Sequence, residues 1–129
     1  MMNKLLTVFT AGLIALSATA GSYPEVTVKE LKAAIESKNV TVLDANGTDS
    51  FKEGHIPGAI DFEAKKESLA SVLPKDKSAL VVAYCGGPQC KAYQAAAKAA
   101  EKLGYKNVKH LPAGLSGWEK AGEKLMAAK

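Results

Sequence analysis

The stretch Ala79-Leu80-Val81-Val82-Ala83-Tyr84, running directly into Cys85-Gly86-Gly87-Pro88-Gln89-Cys90-Lys91, decides the fold. A strand with one wet face alternates apolar and polar residues. This run does not alternate, which marks a strand covered on both faces, as in a parallel sheet between helices. Gly86 and Gly87 then free the backbone for left-handed or strained angles. Residues 91–103 are alanine-rich with helical spacing, and Gly104 sits at the C′ position. Strand, glycine loop and helix follow one another as in a βαβ unit.

The same alternation extends in both directions. Thr27-Val28-Lys29-Glu30 is a capping box with Val26 and Leu31 at the staple positions, and apolar residues continue at helical spacing, so residues 28–37 are predicted as a helix. Residues 40–45 form a short β-branched strand, and Asn46-Gly47 turns the chain. One helical turn at 49–53 is ended by Gly54, and Ile56-Pro57-Gly58-Ala59 makes a tight loop into Ile60. Leu69, Val72 and Leu73 share a face, which predicts a single helix over 63–73, stopped by Pro74. Residues 107–111 are a further strand, and 115–121 a last helix carrying Trp118. The predicted fold class is α/β, a central, mainly parallel sheet with helices on both faces. It forms one domain over residues 21–129, without repeats or linkers.

Residues 1–20 read as a signal peptide. Lys4 supplies the positive region, a short apolar run follows, and Ala18-Thr19-Ala20 gives the small-x-small pattern before cleavage at Gly21. An uncleaved N-terminal anchor is the alternative, although the run is short for the roughly 20 residues a span needs. The expected location is periplasmic or secreted, with no membrane association after cleavage.

Of the 129 residues, 47% are hydrophobic and 23% charged, with a net charge of +4. These values exclude a disordered chain and a disulfide-dense mini-protein. All 17 basic residues are lysines, scattered rather than striped. Without arginine forks for phosphates or guanine edges, no nucleic-acid partner is expected. Two histidines and two cysteines show no metal-ligand spacing, and neither a metal nor a cofactor is expected.

In open α/β sheets the ligand site lies beyond the carboxyl ends of the strands. Here that means the ends of 40–45 and 79–84, and the second runs into Cys85. A curled glycine loop can aim successive N–H groups inward, and the following helix adds the positive end of its dipole. A thiolate held there has a lowered pKa and is a competent nucleophile. Cys85 is therefore the candidate catalytic residue, and Gly86, Gly87, Pro88, Gln89, Cys90 and Lys91 are the candidate substrate-binding residues. The competing reading is an inert buried thiol.

Four stretches resemble the rhodanese family of sulfurtransferase domains. Val42-Leu43-Asp44 is similar to the family's first core strand. Phe51-x-x-Gly54-His55-Ile56-Pro57-Gly58-Ala59-Ile60 matches its F-x-x-G-H-I-P-G-A-I element, the most specific of the four. Tyr84-Cys85 opens the active-site loop. Leu103-Gly104-Tyr105-x-Asn107-Val108-x-x-Leu111-x-x-Gly114-x-x-x-Trp118 resembles the closing segment. The resemblance implies an α/β fold with a central parallel sheet and a persulfide formed on Cys85. It implies a small anionic sulfur donor such as thiosulfate and a thiol acceptor as partners. Two positions depart from the family's pattern: Asn46 lies where many members carry Arg after the first-strand Asp, and Cys90 where many carry Arg in the loop. Lys91 is the nearest replacement, a point charge rather than a planar fork.

Other conspicuous residues have simpler readings. Asp44 is expected to bond loop amides at its strand end rather than act as an acid. His55 is expected to be structural rather than a proton carrier, His110 to lie at the surface, and Trp118 to anchor the core. Cys90 is the ambiguous residue. In a curled loop its Cα can approach that of Cys85 to the roughly 4.4–6.8 Å a disulfide needs, making Cys90 a possible resolving cysteine; the alternative is a passive replacement for Arg. Three functions remain open: an exported sulfurtransferase, a phosphatase or arsenate reductase of the related cysteine-loop type, and a redox-sensing or binding module switched by Cys85–Cys90.

Overall fold

The computed structural model of the chain describes residues 23–128. The expected signal peptide and its cleavage site fall outside the described residues.

Four parallel strands form one sheet in the order β2-β1-β3-β4: β1 Thr41–Asp44, β2 Ile60–Asp61, β3 Leu80–Tyr84 and β4 Asn107–His110. The unbroken apolar run lies in β3, one of the two central strands, where both faces are covered. Alternate side chains serve two separate cores. Leu43, Val81, Ala83 and Val108 pack with Leu69, Leu73, Ala96, Ala97 and Ala100 on one face. Val42, Val82 and Tyr84 pack with Leu31, Ile56 and Trp118 on the other. Helices therefore cover both faces of a wholly parallel sheet, as the sequence predicts.

Helix α1 (Val28–Glu36) starts at the predicted capping box: the Thr27 hydroxyl accepts from Glu30 N at 3.0 Å and Glu30 Oε1 accepts from Thr27 N at 2.9 Å. Helix α2 (Thr48–Glu53) has no side-chain cap of its own. Glu63, distant in sequence, accepts from Thr48 N at 2.8 Å instead.

The predicted helix over 63–73 is broken into α3 (Phe62–Lys65), a 3₁₀ turn (Lys66–Ser68) and α4 (Leu69–Val72). Phe62 at the start of α3 packs partly buried against the core, but residues 63–68 are exposed and full burial resumes only at Leu69. Asp61 caps α3 through Ala64 N. Helix α5 (Tyr93–Lys102) begins two residues later than expected. Residues 91 and 92 form a tighter lead-in, with Gln94 N donating to Lys91 O and Ala95 N to Ala92 O. The last helix, α6, spans Gly114–Lys120.

Two extended segments add isolated backbone pairs outside the four strands. Val26 N donates to the His110 carbonyl and His110 N to that of Pro24, both at 2.9 Å, beside β4. Near the other end, His55 and Met126 exchange two hydrogen bonds of 2.9 Å.

Candidate active site

The site is built where β1 and β3 end side by side. Asp44 and Tyr84 are register partners there. The Tyr84 hydroxyl donates to Asp44 Oδ2 at 2.5 Å and accepts from Ile56 N at 3.0 Å. One buried hydroxyl thus ties two strand ends to the loop before β2. Asp44 Oδ1 accepts from Asn46 N at 2.7 Å, the loop-amide bond expected of a strand-end Asp. Burial raises the Asp44 pKa, against the Tyr84 and Asn46 hydrogen bonds that favour the carboxylate. Burial and the adjacent Asp44 raise that of Tyr84, which stays a neutral donor.

Cys85 is the first residue past β3 and is only 2% exposed. Its loop is held from beneath by α6: Leu115 N donates to Cys85 O at 2.8 Å, and Ser116 N to Gly86 O at 2.9 Å. The described peptides contain no cis bond, and in a planar trans unit the N–H lies opposite the carbonyl. With the Cys85 and Gly86 carbonyls turned to α6, the Gly86 and Gly87 N–H groups point away from it. The loop therefore presents an amide edge on the side opposite α6.

Gly114 makes this docking possible. Its φ is +64°, and a Cβ there would stand 2.5 Å from Gly87 N and 2.7 Å from Gly86 C. Ser116 Oγ would lie 3.0 Å from a Cβ on Gly87, and Asn46 Oδ1 3.7 Å from one on Gly86. Asn46 Nδ2 is buried without a hydrogen-bond partner among the described residues. Gly114 and Ser116 were not singled out as site residues from sequence. Gly114 lies in the closing segment quoted for the resemblance, but no periodicity shows which backbone it touches.

Cys85 and Cys90 form a disulfide, with Cα atoms 6.2 Å apart. The loop curls to allow it, and Cys90 N donates to Gly87 O at 3.1 Å. That amide is engaged within the loop in this form. Pro88, Gln89 and Lys91 are exposed at the rim, while Cys90 is half-buried. In the disulfide form Cys85 has no thiolate, and only reduction would give it one.

Both histidines lie away from this loop's chemistry. His55 stacks on Phe51, ring centroids 3.7 Å apart, with Nδ1 2.8 Å from the Phe51 carbonyl. Gly54 beside it faces Leu125, whose Cδ1 would be 3.0 Å from an added Cβ. His110 corrects the surface expectation. It is buried, stacked on Tyr93 at 4.2 Å, with Nε2 3.8 Å from Glu25 Oε2. The first turn of α5 and the segment before α1 cover it, neither of which the strand's own pattern reveals. Burial lowers its pKa, with the Glu25 charge acting in the opposite direction. Trp118 is buried and donates from Nε1 to Lys124 O at 2.9 Å, consistent with a core anchor.

This frame has known counterparts. The sequence model of the rhodanese-like domain matches residues 27–121. The chain belongs to the rhodanese-like domain family. The thiosulfate sulfurtransferase GlpE of Shewanella oneidensis is 32% identical over 103 residues, covering 78% of this chain and 96% of its own. An HTH-type transcriptional regulator of Mycobacterium tuberculosis is 34% identical over 98 residues, or 75% of this chain. The chain spans only 42% of that regulator. The rhodanese-like domain of an Anabaena protein, solved by NMR, superposes with a TM-score of 0.66 at 24% identity, over 82% of this chain and 80% of that one. The similar proteins are thus named as an enzyme and as a regulator, and the fold alone does not fix the function.

Proposed function

We propose that the protein is an exported sulfurtransferase, periplasmic or secreted, that carries sulfane sulfur on Cys85. The observation that carries this reading is the loop itself: a buried cysteine at the end of a central strand, followed by Gly86-Gly87 with an outward amide edge and docked on Gly114. In the reduced form, the Cys85 thiolate attacks the outer sulfur of a donor such as thiosulfate. The donor's S–S bond breaks, sulfite leaves with the bonding pair, and Cys85 holds a persulfide. An acceptor thiolate then takes the terminal sulfur and restores the Cys85 thiolate. The amides of Gly86 and Gly87 suit the anionic donor and the terminal sulfur, because N–H groups turned to the same side, away from α6, favour negative charge. Lys91 at the rim supplies positive charge for attraction rather than a bidentate grip. The similarity to a thiosulfate sulfurtransferase at 32% identity supports the same donor class.

The disulfide favours a second reading, in which Cys85–Cys90 is the switch of a redox-sensing module. The two readings part in a thiosulfate:cyanide assay of the reduced protein. Sulfur transfer predicts thiocyanate from the parent and none from Cys85→Ser, because a serine hydroxyl is far less acidic and less nucleophilic. A reduced parent that releases neither sulfite nor thiocyanate fits the switch alone.

A further inference from the structure

We infer that Cys90 is a resolving thiol that discharges the Cys85 persulfide as sulfide, giving the protein a dithiol-dependent sulfide-releasing activity. This rests on the sulfurtransferase reading above.

The bonded pair shows that the loop brings Cys90 Sγ onto Cys85 Sγ, across Cα atoms 6.2 Å apart. The Gly87–Cys90 turn holds Cys90 in that place. Once Cys85 carries a persulfide, the same reach puts a thiolate beside the inner sulfur. Cys90 Sγ attacks Cys85 Sγ, the bond from Cys85 to the outer sulfur breaks, and hydrosulfide leaves with the electron pair. The products are the Cys85–Cys90 disulfide and sulfide. The two cysteine sulfurs are oxidised together by two electrons, and the sulfane sulfur is reduced by two. Hydrosulfide is a weaker base than an alkyl thiolate and so the faster leaving group.

The disulfide then needs a dithiol reductant. Cys90 is half-buried and Cys85 2% exposed, so an incoming thiolate meets Cys90 first. Attack there forms a mixed disulfide on Cys90 and releases Cys85 as the thiolate, ready for the next donor. The net reaction takes thiosulfate and a dithiol to sulfite, sulfide and a disulfide. The partner is accordingly a protein dithiol of the kind that reduces exposed disulfides.

The test uses the full chain, reduced and then freed of reductant, with one equivalent of thiosulfate and no acceptor. Sulfite, sulfide and intact mass are read together. The parent is expected to release about one sulfide per sulfite and to end as the disulfide, two hydrogens lighter than the dithiol. In Cys90→Ser the sulfide-to-sulfite ratio is expected to fall at least about tenfold, with an added sulfur retained. A parent that releases sulfite but keeps the persulfide overturns the resolving role and leaves sulfur transfer standing. A parent that releases no sulfite overturns the thiosulfate reading and the resolving role with it.

Discussion

A methyl group on Gly114 would stand 2.5 Å from the backbone nitrogen of Gly87. The loop that carries Cys85 is therefore seated against a helix start that only glycine allows, and its carbonyls are held there by Leu115 N and Ser116 N. Gly114→Ala adds a clash with backbone to the penalty of φ +64°. Gly122 is the control, at φ +84° with nothing within 4 Å of its Cβ position. Gly122→Ala is expected to cost about 1–2 kcal/mol and leave activity intact. Gly114→Ala is expected to cost about 1–3 kcal/mol more and lower sulfur transfer at least about tenfold. Thermal unfolding and thiosulfate:cyanide kinetics of both variants check this.

Tyr84→Phe removes the hydroxyl that joins Asp44 to Ile56 N. A buried carboxyl oxygen and a buried amide each lose a partner, and the expected loss is about 1–3 kcal/mol by denaturant unfolding. Without the Tyr84 donor, which favours the carboxylate, the Asp44 pKa is expected to rise further. A group whose folded pKa is raised stabilises the fold below its unfolded pKa, and that contribution is lost as pH rises through the folded value. Asp44→Asn should therefore remove a decline in stability on the acidic side, visible in unfolding curves from pH 3 upward.

His110 carries the opposite sign. Burial holds its pKa below the ordinary 6.5, so the unfolded chain takes up a proton first as the pH falls. Stability is expected to drop from just above pH 6.5 down to the folded pKa and then level off. His110→Phe, which keeps an aromatic ring against Tyr93, should flatten that slope. An unchanged slope in the variant would show that other groups cause it.

Lys91 separates sulfur transfer from phosphoryl chemistry. With Lys91 exposed at the rim, Lys91→Ala is expected to raise the KM for thiosulfate by about two- to fivefold, an effect that shrinks at high salt. Hydrolysis of an aryl phosphate is expected from neither protein. Robust hydrolysis by the parent, lost in Lys91→Ala, would favour the phosphatase reading.

The fold was legible where one residue's neighbours lie close in sequence. The run 79–84 announces a covered parallel strand, and Thr27 with Glu30 announces a helix start, because both signals are local. Misreadings arose where distant segments decide. The 63–73 helix breaks because its first half reaches no core, although its residues are good helix formers. His110 is buried by Tyr93 and the segment around Glu25, far along the chain. At the site, the position of Cys85 directly after β3 was legible, whereas the spacing of Cys90 left a bond to Cys85 and a passive replacement for Arg both open. The Asp44–Tyr84 bond depends on strand register, and the seat under the loop on Gly114, neither of which leaves a periodic mark in the sequence.

The most direct test of the account is the intact mass of reduced Cys90→Ser after one equivalent of thiosulfate. This variant keeps Cys85 and lacks the thiol that would discharge it. The predicted result is a gain of one sulfur atom, mapped to the peptide containing Cys85, with an equal amount of sulfite released. An unchanged mass with no sulfite, under conditions where alkylation shows Cys85 to be a free thiol, would contradict the claim that this loop carries sulfur.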